Sequence, residues 1–268
     1  MALARSASSE ARLRSSGVQP VPGKLARPET YFEQAASSDA IVHTAFEYAP
    51  DGTENIGLDM HATRALLRAR RLIYTSNAYL PGIDTERLTD ATTRMTDRPL
   101  RFETERMVLA ANSGSNAVIR LGMVYGGHGG GTICSLFAAA QRSGRLTCPA
   151  DVCGNRWSLI DLQDLASLYA TLVETTASGV FHAVDGRPLT VQRVLECVGH
   201  ACSVPISQQN EATARELLDP HAFDVMKRDV ALDSPRARAL GWSPRHPDFG
   251  AGVAEAYGQW STQETRTR

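Results

Sequence analysis

The chain has 268 residues, 43% hydrophobic and 21% charged, with 28 basic residues against 29 acidic ones and a formal net charge of -1. That is an ordinary globular composition, long enough for one large domain or for a main domain with a smaller appended one. The charge balance argues against a nucleic-acid or membrane surface, and no run of about 18 apolar residues reads as a transmembrane helix.

The N-terminal "MALARSASSEARLRSSG" is basic and Ser-rich but has no apolar stretch, so it does not read as a secretory signal. Ala40–Phe46 reads as a buried strand, Asp59–Arg71 as a helix and Leu72–Ser76 as a strand again. Arg101–Gly114 reads as a helix with a glycine stop, and Ala117–Gly126 as a strand running into a loop. Strands alternating with helices, and apolar throughout, predict βαβ units around a parallel sheet covered on both faces. In the second half, Ser158–Thr176 has a long amphipathic helix pattern and Gly179–Gly186 reads as a strand into a turn. Thr190–Ser203 reads as a helix with Thr190 as N-cap, and Ser234–Pro247 as a short helix ended by Gly241. The five cysteines show no C-x-x-C spacing and read as reduced structural thiols of a cytoplasmic protein.

Gly126–Gly131 holds five glycines within six positions. It fails the G-x-G-x-x-G spacing of a dinucleotide turn, because Thr132 or Cys134 stands where the last glycine belongs. A flexible loop, a substrate loop and a phosphate loop all remain readings of it. His128 within it is a candidate acid or base. Asp161 and Asp164 lie three apart on one helical face.

Several segments together resemble the extended or atypical short-chain dehydrogenase/reductases, the NAD-dependent epimerase/dehydratase group. "SDAIVHTAF" is similar to the family's fourth strand and turn, and "LIYTSNAYLPG" to its fifth strand. "VIRLGMVYGGHG" resembles the segment after the sixth strand, "NRWSLIDLQDLASLYATLVE" the V-H-V-D-D-V-A segment, and "LDSPRARALGWSPRHP" the closing L-G-W-x-P segment. The resemblance implies a Rossmann-like doubly wound parallel sheet (residues 1–150) and a small substrate-side region (residues 151–268) interleaved with the last strands. "MALARS" resembles the end of the family's second strand, so the sheet is expected to lack its first strand and the glycine-rich turn behind it.

By the same resemblance the cofactor is NAD(P), with Arg5, Thr44, Ala45, Gly122 and Val124 as binding residues. Arg5 stands where an Arg pairs the 2′-phosphate of NADP. Gly23-Lys24-Leu25 replaces the family's G-D-L, whose Asp contacts adenine. Tyr125, His128 and Trp157 border the substrate. At the catalytic positions the alignment puts Asn77 for Ser, Asp97 for Tyr and Arg101 for Lys, with Ser76, Tyr74 and Tyr79 nearby. A shifted register gives Phe102 and Arg106 and still no Tyr. Asp cannot copy Tyr, since its ordinary pKa of about 3.9 makes it a base. The expected function is an NAD(P)-dependent oxidoreductase or epimerase/dehydratase-type enzyme acting on a small organic metabolite. Loss of the cradle and the triad leaves open a non-redox isomerase, dehydratase or cyclase, or a non-catalytic regulator. Open strand edges beside the missing strand point either to a homodimer through that edge or to marginal stability.

Overall fold

The computed structural model describes residues 1–48, 55–78, 100–111, 114–127, 131–218 and 220–267. The candidates Asp97, His128 and Tyr79 lie outside the described residues. The chain opens with β1 (Ala2–Ala4), α1 (Ala7–Ser15) and β2 (Pro20–Pro22), then a 3₁₀ turn (Pro28–Thr30) and the short α2 (Phe32–Ala36). The alternation continues through β3 (Ile41–His43), α3 (Ile56–Leu66), β4 (Leu72–Asn77), α4 (Leu100–Ala110) and β5 (Ala117–Leu121). Next come β6 (Met123–Tyr125), α5 (Gly131–Ser143), β7 (Leu146–Pro149), β8 (Arg156–Trp157), β9 (Leu159–Asp161) and α6 (Leu162–Glu174). The rest is β10 (Gly179–Ala183), β11 (Leu189–Thr190), α7 (Val191–Cys202), β12 (Ile206–Gln209), α8 (Glu211–Leu217), α9 (Pro220–Met226), α10 (Pro235–Ala239) and α11 (Phe249–Thr267). Among the described residues, no helix is long and apolar enough to cross a membrane.

β1 and β2 form a parallel pair, and a four-stranded sheet runs in the order β10-β5-β4-β3, with β3 and β4 parallel. Chain order then reads β2-β1 and β3-β4-β5-β10. The two are separate sheets, and the run β3-β4-β5 keeps sequential strands side by side as one half of a doubly wound sheet does. The expected buried strand over 40–46 shortens to Ile41–His43, and Val42 is 37% exposed, on a strand whose outer edge has no partner strand among the described residues. The long helix pattern over 158–176 divides into β9 and α6, because Leu159–Asp161 pairs with β6 before the helix starts.

The contacts divide the chain into two compact units, and each takes residues from early and late in the sequence. The first comprises residues 1–76, 98–119 and 172–180. Its core gathers Tyr31, Leu66, Leu72, Tyr74, Val108 and Val118. Asn116, fully buried, ties this unit together: its Oδ1 accepts from Leu72 N–H while its Nδ2 donates to the carbonyls of Val108 and Ala111. Arg71 donates to the carbonyls of Thr175 and Ala177, so a buried guanidinium closes the turn that feeds β10. The second unit comprises residues 77–97, 120–171 and 181–268. Its core holds Phe137, Trp157, Leu195 and Val253. α7 lays Val191, Val194, Leu195 and Val198 on this core, and Thr190 caps it by accepting from Arg193 N–H, as its sequence predicts. Cys148 and Cys153, expected to be reduced, are placed as a disulfide, since the intervening turn brings their Cα atoms to 6.0 Å. Cys134, Cys197 and Cys202 are free thiols.

Candidate functional site

In the first unit, β1 and β2 run parallel with Ala4 opposite Pro22, so the residues that follow each strand leave from adjacent carboxyl ends. An open cavity of about 320 Å³ lies there, lined by Arg5, Ser6, Lys24, Arg27 and Thr30 among others. Ligands of open α/β sheets bind outside the carboxyl ends of the strands. Ser6 caps α1 through its hydroxyl, which accepts from Ser9 N–H, so the first turn of α1 opens at this mouth. Gly23 lets the backbone pass close to Thr30, where a Cβ would collide with the Thr30 hydroxyl. The one carboxylate lining the cavity, Glu10, is already taken by Arg14 at 3.0 Å. Of the residues expected to bind a cofactor, Arg5 lines this cavity, while Thr44 and Ala45 are exposed just after β3. Lys24 and Arg27 enter beside Arg5. The sequence signal for them was a pair of cations directly after the second of two adjacent parallel strands.

The same unit holds a buried polar network. The Tyr74 hydroxyl donates to Asp59 Oδ2 at 2.5 Å, and His43 Nε2 lies 3.5 Å from Asp59 Oδ1. Burial and then the Asp59 carboxylate push the Tyr74 phenol well above its ordinary range, while Arg101, which also reaches it, pulls the other way. The Arg101 guanidinium lies over the Phe46 ring, 4.1 Å from its centre, and the residue is only 7% exposed. Ser76 is 1% exposed, and its hydroxyl has no hydrogen-bond partner among the described residues. Tyr74 and Arg101 are thus brought together, with Asp59 and His43 beside Tyr74, two residues the sequence does not single out. His43, Asp59 and Tyr74 lie on three different elements, so no local spacing could have flagged them.

In the second unit, Gly122 separates β5 from β6, and a Cβ there would meet the Ser158 carbonyl at 2.7 Å. Val124 is half-buried. The Tyr125 hydroxyl donates to the His246 carbonyl at 2.8 Å, and Trp157 is fully buried. Asn77 is half-buried at the end of β4. Asp161, Asp164 and His246 bring three ligand-type atoms within 4.8 Å of one another. Several of these atoms are already engaged: Asp164 accepts from Arg245 and His246 N–H and from the His246 ring, and Asp161 Oδ1 accepts from Gln163 N–H. They fasten the segment before α11, and the bond to Asp164 raises the His246 pKa.

The strand order and the site at the strand ends define a Rossmann-type α/β protein with the fold of the extended short-chain dehydrogenase/reductases, the NAD-dependent epimerase/dehydratase group. No protein-family model matches the chain. An uncharacterized protein of Schizosaccharomyces pombe is 21% identical over 279 residues, which cover 95% of this chain and 90% of that protein. The chain is similar in structure to dTDP-glucose 4,6-dehydratase from Bacillus anthracis in complex with NAD, with a TM-score of 0.72, 15% identity and coverage of 97% and 85%. It is also similar to the human epimerase family protein SDR39U1 with NADPH (TM-score 0.69, 17% identity, 93% and 94% covered). UDP-glucose 4-epimerase from Thermus thermophilus with NAD gives a TM-score of 0.67 at 19% identity, with 91% and 85% covered.

Proposed function

We propose that this chain is an NAD(P)-dependent oxidoreductase or epimerase/dehydratase-type enzyme acting on a small organic metabolite. The observation that carries the reading is the basic cavity at the carboxyl ends of β1 and β2, set in the fold that the NAD and NADPH complexes share. The residues present fit the adenosine end of a dinucleotide: cations, hydroxyls and a helix start face one opening. The sequence carries no G-x-x-G-x-x-G for the diphosphate. When bound, the nicotinamide would supply hydride transfer. Ser76, Asn77 and Arg101 are the chain's own candidates for holding the substrate, and Asp97 for taking a proton from it. Arg101 is the strongest of these, as a charged group kept in place by Phe46 and Tyr74.

One observation favours the non-redox alternative on the same scaffold. Tyr74, the described phenol beside Arg101, is buried and bound to Asp59, so it stays protonated and spent. Calorimetric titration of the full chain with NAD+, NADH, NADP+ and NADPH tests both readings. Saturable binding with a Kd below about 1 mM supports the dinucleotide reading. Binding of none of the four would overturn it and leave the non-redox one.

A further inference from the structure

We propose that Cys148 and Cys153 form a reversible redox site, a dithiol that a small-molecule disulfide converts to a cross-link and a small-molecule thiol reopens, and that its state sets how firmly the start of α7 is held. The proposal stands apart from the dinucleotide reading. Cys148 lies in β7 and Cys153 in the turn after it, with their Cα atoms 6.0 Å apart, the span a disulfide needs. The reduced state fits the same backbone. Cys153 Sγ lies 3.1 Å from the Pro149 carbonyl and Cys148 Sγ 3.9 Å from it, so a thiol at either place has an acceptor waiting. In the cross-linked state that carbonyl still accepts from Val152 N–H at 3.1 Å. Access is one-sided. Cys148 is fully buried, whereas Cys153 is 7% exposed and sits beside Gly154, where a Cβ would meet nothing within 4 Å among the described residues beyond its chain neighbours. Cys153 therefore reacts first. Its thiolate attacks one sulfur of a disulfide such as oxidised glutathione, forming a mixed disulfide and expelling one glutathione thiolate. Cys148, once it has given up its proton, attacks the Cys153 sulfur, closes the cross-link and expels the second glutathione thiolate. The two protein thiols lose two protons and two electrons, and one small disulfide becomes two thiols; reduced glutathione runs the steps in reverse. The other cysteines compete poorly, because the thiolate is the attacking form and burial pushes the Cys202 thiol up to about 11 and raises those of Cys134 and Cys197. The turn that the pair closes holds α7. The Asn155 carbonyl accepts from Val191 N–H at 2.7 Å and the Cys153 carbonyl from Gln192 N–H at 3.0 Å, so two of the donors left over at the start of the helix end on this turn. Ala150 N–H donates to the Gln209 carbonyl at 2.8 Å and ties the same turn to β12. Opening the cross-link gives the turn back its freedom and loosens these bonds.

The full chain is equilibrated in glutathione buffers from wholly reduced to wholly oxidised, quenched in acid, alkylated in denaturant and weighed. Five alkylated cysteines are expected at the reduced end and three at the oxidised end, with the two protected ones mapping to Cys148 and Cys153. The reduced chain should melt about 3–8 °C lower and exchange the Val191 and Gln192 amides at least about fivefold faster. A double variant, Cys148→Ala with Cys153→Ala, should melt at one temperature in both buffers. If that variant does not fold, the thiol count and the amide exchange of the parent chain decide alone. Five free thiols at every ratio, three in the wholly reduced buffer, or protection that maps to another cysteine overturns the proposal. So does a reduction that leaves both the melt and the two amides unchanged, or a double variant whose melt still follows the buffer.

Discussion

Asp185 follows β10 and is 5% exposed; burial pushes its carboxyl up to about 6, against the pull of the Arg187 N–H and the Arg187 and Arg238 charges. A carboxyl raised in the folded state favours folding below its ordinary value of 3.8 and gives up that contribution as pH rises toward 6. Asp185→Asn keeps an oxygen for Arg187 N–H and cannot ionise. The variant should match the parent near pH 3.5 and be more stable by up to about 3 kcal/mol at pH 8, as read by denaturant melts. No gain at pH 8 would mean the carboxyl is not strained. His182 acts with the opposite sign. Burial, with Arg120, lowers it to about 4, so its contribution is whole above 6.5 and is lost as pH falls toward 4. At this scale the sequence was readable where partners are near neighbours. Thr190 is the N-cap its position announces, but the Tyr74–Asp59–His43 group was hidden because its members are joined only by folding.

Elements were legible where one period ran cleanly. β4 and α7 fall within a residue or two of their expected bounds, and Gly241 closes the turn after α10 with φ 82°. The strand expected over Ala117–Gly126 breaks in two at Gly122. The Gly122 N–H goes to Ala183 O, and the next N–H, from Met123, goes to Ser158 O, so the chain changes partner there. Glycine within a strand often marks such a close approach. Gly122→Ala would press its Cβ on the Ser158 carbonyl, which is backbone and cannot swing away. We expect it to cost about 1–3 kcal/mol, seen as a lower Tm; an unchanged melt would show that β6 and β9 can separate freely. β9 was misread as helix because Leu159–Asp161 is too short for its strand period to stand out from the helical pattern that follows.

For the molecule as a whole, β1 and β3 each keep an edge without a strand partner among the described residues, and each shows an apolar residue at its centre, Leu3 and Val42, both 37% exposed. Open apolar edges recruit other strands, and a single charge blunts them. The chain should therefore self-associate with rising concentration in light scattering, and Val42→Lys should lower the associated fraction without lowering Tm. A parent that stays monomeric at all concentrations would defeat this expectation.

The sequence by itself determined the α/β alternation, the helix caps and the Rossmann-type order of segments, because these follow from local periodicity and from short-range hydrogen bonding. It also carries no G-x-x-G-x-x-G run. Only the tertiary structure decided that Arg5, Lys24 and Arg27 share one cavity, that Asp59 holds Tyr74, and that Asp164 is spent on the segment before α11. The reason is physical: which side chains share a strand end or a buried pocket is set by the pairing of distant strands, and burial then decides which charges remain available.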